Sequence, residues 1–366
     1  MKKYTVAQVG VGGRGGVHID GWLKNPDRFE LVALCDLDED RLRTRSEQFG
    51  VSTTYIDADE MLAEVQPDVF CFSTGPSVRL PLVELAAKHK VKGLVFEKPM
   101  ARSLEEAYKI TELCRRNNIK AAVSHQQKYL TSLQRVKHLA DSGELGEVTF
   151  IHSTTQWGFS QIGTHFTDYA LWANNGSRAK WVVGNCYGTR LLTQDPNHPA
   201  PDYVMANFEC ENGVRILVES GKAAPCHMPD TDATYLDSRL TVYGTHGYAW
   251  GDTDTGWAAL TRSSKGELLS GKPASWGEEE STCLQPLFAR DLADWLDDDR
   301  KPHPCNIEIS YHGYEILTGA CLSCLDRTRI DLPFANPLGV GDLFERLRKE
   351  LTDVPPPPGH PNHPTA

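Results

Sequence analysis

The sequence has no surplus of positive charge. Its 38 lysines and arginines face 49 aspartates and glutamates, for a net charge of −11. Nucleic acids and anionic membranes want a basic face, so neither is expected as a partner. The chain also lacks an apolar run of roughly 18 residues, the length a membrane-spanning helix needs. It shows no secretory leader, because Met1-Lys2-Lys3-Tyr4 runs directly into a strand pattern. With no export signal, the ten cysteines are not expected to form a disulfide framework, and a cytoplasmic location is expected. Cys321 and Cys324 have C-x-x-C spacing, but they lie inside the apolar helical run Ile316 to Leu325 with no second pair nearby. They read as buried helix-face thiols, and no metal is expected.

What the chain does have is length for two domains, with 366 residues and the apolar and charged fractions of a globular protein. Tyr4 to Val9 reads as a strand, and Gly10-Val11-Gly12-Gly13-Arg14-Gly15 follows at once. Helical spacing then runs through His18, Ile19, Trp22 and Leu23. The next strand, Leu31 to Cys35, ends in Asp36, about 20 residues past the glycines. Strand, glycines, helix, strand and acid in this order form a dinucleotide fingerprint. Gly10 makes the turn, Gly12 and Gly13 let the backbone approach a pyrophosphate, and Gly15 lets helix and strand lie close. The helix start offers N–H groups and a positive dipole end to phosphate. Asp36 would accept from the adenosine ribose hydroxyls and repel a 2′-phosphate, which favours NAD over NADP, although Arg14 or Arg41 could face such a phosphate.

Helices at Asp59–Val65, Leu80–His89 and Leu104–Asn117 alternate with strands at Asp68–Phe72, Gly93–Phe96 and Lys120–Ser124. Such alternation implies right-handed crossovers and an α/β doubly wound parallel sheet. Ser73, Thr74, Gly75 and Pro76 form a loop at one strand's carboxyl end, suited to cover the nicotinamide half of a cofactor. Glu97-Lys98-Pro99 follows the strand Gly93–Phe96, where proline stops the ladder. In open α/β sheets ligands bind beyond the carboxyl ends of strands, so Lys98 is placed to reach a substrate. The same triplet also reads as an ordinary turn with an exposed ion pair.

After His125 the grammar changes. A helix at Leu130–Ser142 precedes longer strands at Val148–Thr155, Trp181–Tyr187, Tyr203–Cys210, Val214–Ser220 and Leu240–Tyr243, with a hairpin signal at Asn212-Gly213. This predicts an α+β domain with a mostly antiparallel sheet, covered by helices at Leu284–Leu296 and Tyr311–Leu325. The expected division is 1–124 for the nucleotide-binding domain, 125–335 for the substrate domain, and 336–366 for a terminal helix and Pro-rich tail. The tail's prolines exclude a helix or a central strand there, leaving an extended or disordered arm.

The glycine fingerprint, the Glu97-Lys98-Pro99 triplet and Gly163-Thr164-His165-Phe166-Thr167-Asp168 together resemble the glucose–fructose oxidoreductase, inositol dehydrogenase and rhizopine catabolism family, Gfo/Idh/MocA. The resemblance extends to about Phe334. It implies a Rossmann domain beside an open-faced sheet, with oxidation or reduction of sugars and polyols by a nicotinamide cofactor. By position, Lys98 falls on the family's active-site lysine, His165 on its acid/base histidine, and Asp168 on the acid one helical turn later. The chain departs from the family pattern at Gln161, where many sugar dehydrogenases carry aspartate. It also departs at Ser77, at Leu80 and at Lys128, the last standing where arginine is common.

The chemistry implied is hydride transfer between nicotinamide and a hydroxyl-bearing carbon of a sugar, sugar acid or cyclitol. His165 would take the hydroxyl proton, since an imidazole titrates near working pH. Lys98 would stabilise the developing alkoxide, and Asp168 would orient the imidazole, bind a hydroxyl, or be a helix-surface charge. Gln161 can bind a hydroxyl but cannot take a proton. His125, Gln126, Lys128 and Tyr129 suit sugar hydroxyls or a solvated linker, and Trp157 suits a sugar face or the core. An alternative use of the same residues is an NAD-dependent glycosidase working by transient C3 oxidation, elimination and water addition. A non-catalytic nucleotide sensor is the third reading. A homo-oligomer, dimer or tetramer, is expected because an open sheet face needs covering.

Overall fold

Val69-Phe70-Cys71-Phe72 and Gly93-Leu94-Val95-Phe96 are buried at every position, as strands covered on both faces must be. They sit at the centre of the first of two sheets in the computed structural model, which describes residues 2–194, 198–228 and 237–351. In chain order the first elements are β1 (Tyr4–Val9), α1 (Gly13–Leu23), β2 (Phe29–Cys35), α2 (Glu39–Phe49), β3 (Thr54–Tyr55), α3 (Ala58–Val65), β4 (Val69–Phe72), α4 (Arg79–Lys88), β5 (Gly93–Phe96), α5 (Leu104–Arg116) and β6 (Lys120–Val123). Then come α6 (Thr131–Asp141), β7 (Val148–Thr155), α7 (Thr164–Ala173), β8 (Ala179–Tyr187), α8 (Arg190–Gln194), β9 (Tyr203–Cys210), β10 (Arg215–Gly221) and β11 (Ser238–Gly244). The chain continues with β12 (Gly247–Asp252), β13 (Trp257–Leu260), β14 (Leu269–Gly271), α9 (Trp276–Glu279), α10 (Gln285–Asp297), α11 (Ile307–Asp326), β15 (Ile330–Asp331) and α12 (Leu343–Glu350).

The first sheet has the order β3-β2-β1-β4-β5-β6, and every pairing is parallel. Its direction of winding switches between β1 and β4, the point at which such sheets bind ligands. The two strand ends meet there, with Ser73 N–H donating to Val9 O at 2.9 Å. The compact unit built on this sheet comprises residues 1–102, 106–129 and 277–308. Its core joins Trp22 of α1 and Phe29 of β2, rings 4.9 Å apart edge to face, to Val69, Phe288, Ala289 and Leu292.

Helix α10 therefore belongs with the first sheet. The sequence reading placed the Leu284–Leu296 helix over the second sheet, and the structure corrects this. Its apolar stripe packs on Trp22, and Arg28, buried, donates to Asp294 and Asp297 at 2.5 Å each. An amphipathic stripe says that a helix must be covered, but not by which sheet.

The second unit comprises residues 103–105, 130–276 and 309–366. Its sheet runs β14-β13-β12-β11-β7-β10-β9-β8-β15, and only the β7–β10 pair is parallel. β9 and β10 form the hairpin signalled by Asn212-Gly213, with Gly213 at φ 83°. α7 lies on β7, where Ser153 Oγ donates to Phe166 O at 2.8 Å. α11 carries Cys321, buried, and Cys324, half-buried, and no disulfide joins any of the ten cysteines among the described residues. Among the described residues no helix is long and apolar enough to cross a membrane. The Pro-rich tail expected after Leu351 lies outside the described residues.

Candidate active site

The glycine turn between β1 and α1 is shaped by what it must avoid. Gly10 sits at φ 74°, and a Cβ there would lie 2.6 Å from Ser73 O. A Cβ on Gly15 would lie 1.9 Å from Gly10 O, so α1 hugs the turn only because that position is glycine. At Gly12 and Gly13 the opposite holds, since nothing lies within 4 Å of either Cβ position. α1 starts with neither a side-chain cap nor an acid in its first turn. Its first N–H groups and positive dipole end are thus left for a phosphate, with open space beside Gly12 and Gly13.

Asp36, at the end of β2, is 7% exposed. Its Oδ2 accepts from Val11 N–H at 2.9 Å, and its Oδ1 accepts from Asp38 N–H at 3.0 Å and Arg41 Nη1 at 3.1 Å. Arg41 is shared with the Asp38 carboxylate. Arg14 donates to Glu97 at 3.3 Å, to Glu280 at 2.6 Å, and to Gln126 at 2.9 Å in the amide orientation that lets Gln126 donate to Ser124. Both arginines that could have met a 2′-phosphate are thus paired with carboxylates. In the loop Ser73 to Pro76, Thr74 Oγ1 is buried with no hydrogen-bond partner, an orphaned polar atom that a bound group would satisfy. The open glycines, the uncapped helix start and this orphan fit a nicotinamide dinucleotide.

At the end of β5 the peptide Lys98–Pro99 is cis. Glu97 is buried, and its Oε1 accepts from Arg14 and, at 3.0 Å, bonds His18 Nε2. Burial pushes this carboxyl up, but Arg14, the His18 bond and the Lys98 charge together outweigh it and hold the group well below the ordinary carboxylate range. Lys98 is half-buried. Desolvation lowers its pKa, Arg14 and Arg79 lower it further, and Glu97 opposes them. Arg79, 2% exposed, donates to Lys98 O at 2.9 Å and Thr74 O at 3.3 Å, tying the triplet to the loop after β4.

In the second unit, a single π-type turn, Phe159–Gly163, leads into α7. A Cβ on Gly163 would lie 2.6 Å from Ser220 Oγ, so the turn closes tightly on β10. Such turns inside helices recur at functional sites. His165 is buried, and its Nδ1 is 2.8 Å from the Tyr169 hydroxyl, one helical turn on. Asp168 is fully buried and accepts from Ser310 Oγ of α11 at 3.1 Å. Gln161 and Trp157 are half-buried and line one cavity.

The segment His125 to Tyr129 is buried in the first unit. Lys128 Nζ donates to Pro304 O at 2.5 Å, and the Tyr129 hydroxyl donates to Asp291 at 2.5 Å. Gln126 braces Arg14. His303 bonds Phe288 O and Cys305 N–H, and burial pulls it down to about 3, so it stays neutral as a packing group. The sequence reading did not single out His18, Arg79 or Tyr169. Only Tyr169 carried a usable signal, its i+4 spacing from His165. His18 and Arg79 are recruited by tertiary neighbours.

A parallel sheet with an open glycine turn at its switch point and a lysine at a strand end is the architecture of a Rossmann dinucleotide-binding domain. Residues 4–125 match the oxidoreductase family with the NAD-binding Rossmann fold, Gfo/Idh/MocA. The chain is 25% identical over 267 residues to a D-apiose dehydrogenase from Rhizobium rhizogenes, covering 69% of this chain and 77% of the relative. A D-apiose dehydrogenase from Paraburkholderia graminis is 34% identical over 147 residues, covering 40% of this chain and only 38% of its own length. Among solved structures, a levoglucosan dehydrogenase in complex with NADH and levoglucosan superposes with a TM-score of 0.76 at 15% identity, covering 91% of this chain and 100% of that one, which bears on the fold.

Proposed function

We propose that this chain is an NAD-dependent dehydrogenase acting on a hydroxyl-bearing carbon of a sugar, sugar acid or cyclitol. The observation that carries the reading is the Lys98 cation held at the β5 end, on a triplet anchored by the buried Glu97 cluster and by Arg79, in the unit that holds the dinucleotide cradle. Bound NAD supplies the hydride acceptor. Gly12, Gly13 and the α1 start hold its pyrophosphate, Asp36 its adenosine ribose, and the Ser73 to Pro76 loop its nicotinamide half. Lys98 donates to the reacting oxygen and stabilises the charge that develops there. His165 takes the hydroxyl proton at Nε2. That role requires Nδ1–H to donate to the Tyr169 oxygen, a bond that orients the ring. Asp168, bonded to Ser310, anchors α7 to α11 behind the imidazole.

The glycosidase alternative uses the same residues, but the relatives described above are dehydrogenases. The test is incubation with NAD and a panel of sugars, sugar acids, cyclitols and aryl glycosides. Accumulating NADH supports the proposal, and aglycone release without NADH overturns it. We also propose a homo-oligomer in a reducing, cytoplasmic setting. Ten cysteines with no disulfide among the described residues suit that compartment, and Val183 of β8 and Tyr243 of β11 leave 39% and 38% of their surface exposed on the second sheet. Sedimentation of the purified protein checks the assembly.

A further inference from the structure

Within the second unit a cavity of about 220 Å³ opens beside the turn that leads into α7. Trp157 and Gln161 line it from that turn, Arg190 from α8, and Lys222 from the end of β10, with His198 at the rim. Among the described lining residues there is no carboxylate. The Lys222 ammonium lies 5.5 Å from the centre of the Trp157 ring. Burial lowers its pKa, and the Arg190 charge lowers it further. Asp237 and Cys226 pull the other way without lining the cavity. Arg190 Nε is 3.9 Å from Asp202, beyond hydrogen-bond reach, and that carboxylate accepts from Leu191 N–H at 2.9 Å.

A concavity with two cations, an indole and an amide has the complement of an anion carrying a ring and hydroxyls. The space is that of roughly seven waters, which suits one monosaccharide and not a nucleotide sugar. We propose that this cavity selects a sugar acid: Arg190 and Lys222 pair with its carboxylate, Trp157 covers the ring face, and Gln161 bonds a hydroxyl. The inference rests on the dehydrogenase reading for its substrate class and narrows that class to the acids.

The test is calorimetric titration of the NAD-loaded protein with D-gluconate, D-galactonate, D-glucuronate and D-galacturonate, against D-glucose, D-galactose and glucose 6-phosphate. At least one acid is expected to bind about tenfold or more tightly than its neutral parent, with the advantage shrinking as salt rises. Lys222→Gln and Arg190→Gln should each remove most of that advantage while neutral-sugar and NAD affinities stay within about twofold. Lys222→Arg should restore part of it. Equal binding of acids and neutral sugars, preference for the phosphate, no acid bound, or unaltered variants would each overturn the proposal. Turnover is read separately: an acid that binds as described and yields no NADH removes the dehydrogenase assignment and leaves the binding site standing.

Discussion

Two alanine substitutions in one turn separate the role of shape from the role of access. At Gly15 a methyl group would meet the Gly10 carbonyl oxygen at 1.9 Å, where real contacts are not seen below 3.0 Å. Both sides of that clash are backbone, so α1 and the turn must part by more than 1 Å. Overpacking of this kind costs about 1–3 kcal/mol, a Tm fall of roughly 2–12 °C for a unit of this size. At Gly12 the Cβ position is empty, and the backbone at φ −66° and ψ −157° suits alanine. The only intrinsic cost is a poorer helix N-cap, about 0.5–1 kcal/mol. A methyl there nonetheless stands where a pyrophosphate would approach. Gly12→Ala should therefore keep its fold and weaken NAD by about 100-fold, or roughly 2.7 kcal/mol. Gly15→Ala should lose both stability and affinity. Thermal unfolding and calorimetric NAD titration read the two effects independently. A well-folded Gly12→Ala protein with ordinary NAD affinity would refute the assignment of this turn as the cofactor cradle.

Four further outcomes rest on the same geometry. Lys98→Met should cut turnover by about 10²–10⁴-fold with NAD affinity changed less than about threefold; loss of NAD binding instead would place the lysine elsewhere. Because burial and the neighbouring arginines lower the Lys98 pKa, its cation is lost as pH rises through a value below the ordinary 10.5, so the oxidation rate should show an alkaline fall there that Lys98→Met lacks. Tyr169→Phe removes the bond to His165 Nδ1, and should lower kcat about tenfold, leave KM near its wild-type value and shift the acidic limb of the pH profile. An unchanged profile would show that Tyr169 only packs. Asp36→Ala should weaken NAD by about tenfold and improve NADP, since the carboxylate that would repel a 2′-phosphate is gone and Arg41 keeps only one of its two carboxylate partners, Asp38; competitive titration of the two cofactors checks this.

The first sheet was legible because its signals are local. Glycines at fixed offsets, buried four-residue strands and the acid at the end of β2 each state a backbone requirement that no distant residue can override. Strands β7 and β9 were readable end to end for the same reason, as eight-residue runs free of glycine and proline with β-branched and aromatic residues spread along them. The strands β12, β13 and β14 were not. They are short, rich in glycine and alanine, and exist by pairing with neighbours. Helix α2 escaped notice because Leu42 is its one buried side chain, although Asp38 capping its start and Gly50 in the left-handed region past its end were both visible. At the site, Glu97 and Lys98 were legible as a triplet, whereas the hold of His18 and Arg79 on that triplet depends on distant elements meeting. Arg190 and Lys222 lie 32 positions apart on different elements, and no spacing rule joins them.

The return of α10 to Trp22 has a consequence for how the molecule is made. The surface that Phe288, Ala289 and Leu292 cover is exposed on a nascent chain until nearly 300 residues have been synthesised. The nucleotide-binding half is thus begun first and finished late. A fragment cut after Tyr129 would carry every glycine of the fingerprint and still leave an apolar wound where the missing helix docks, so truncation by motif would yield an aggregating piece rather than a minimal NAD binder.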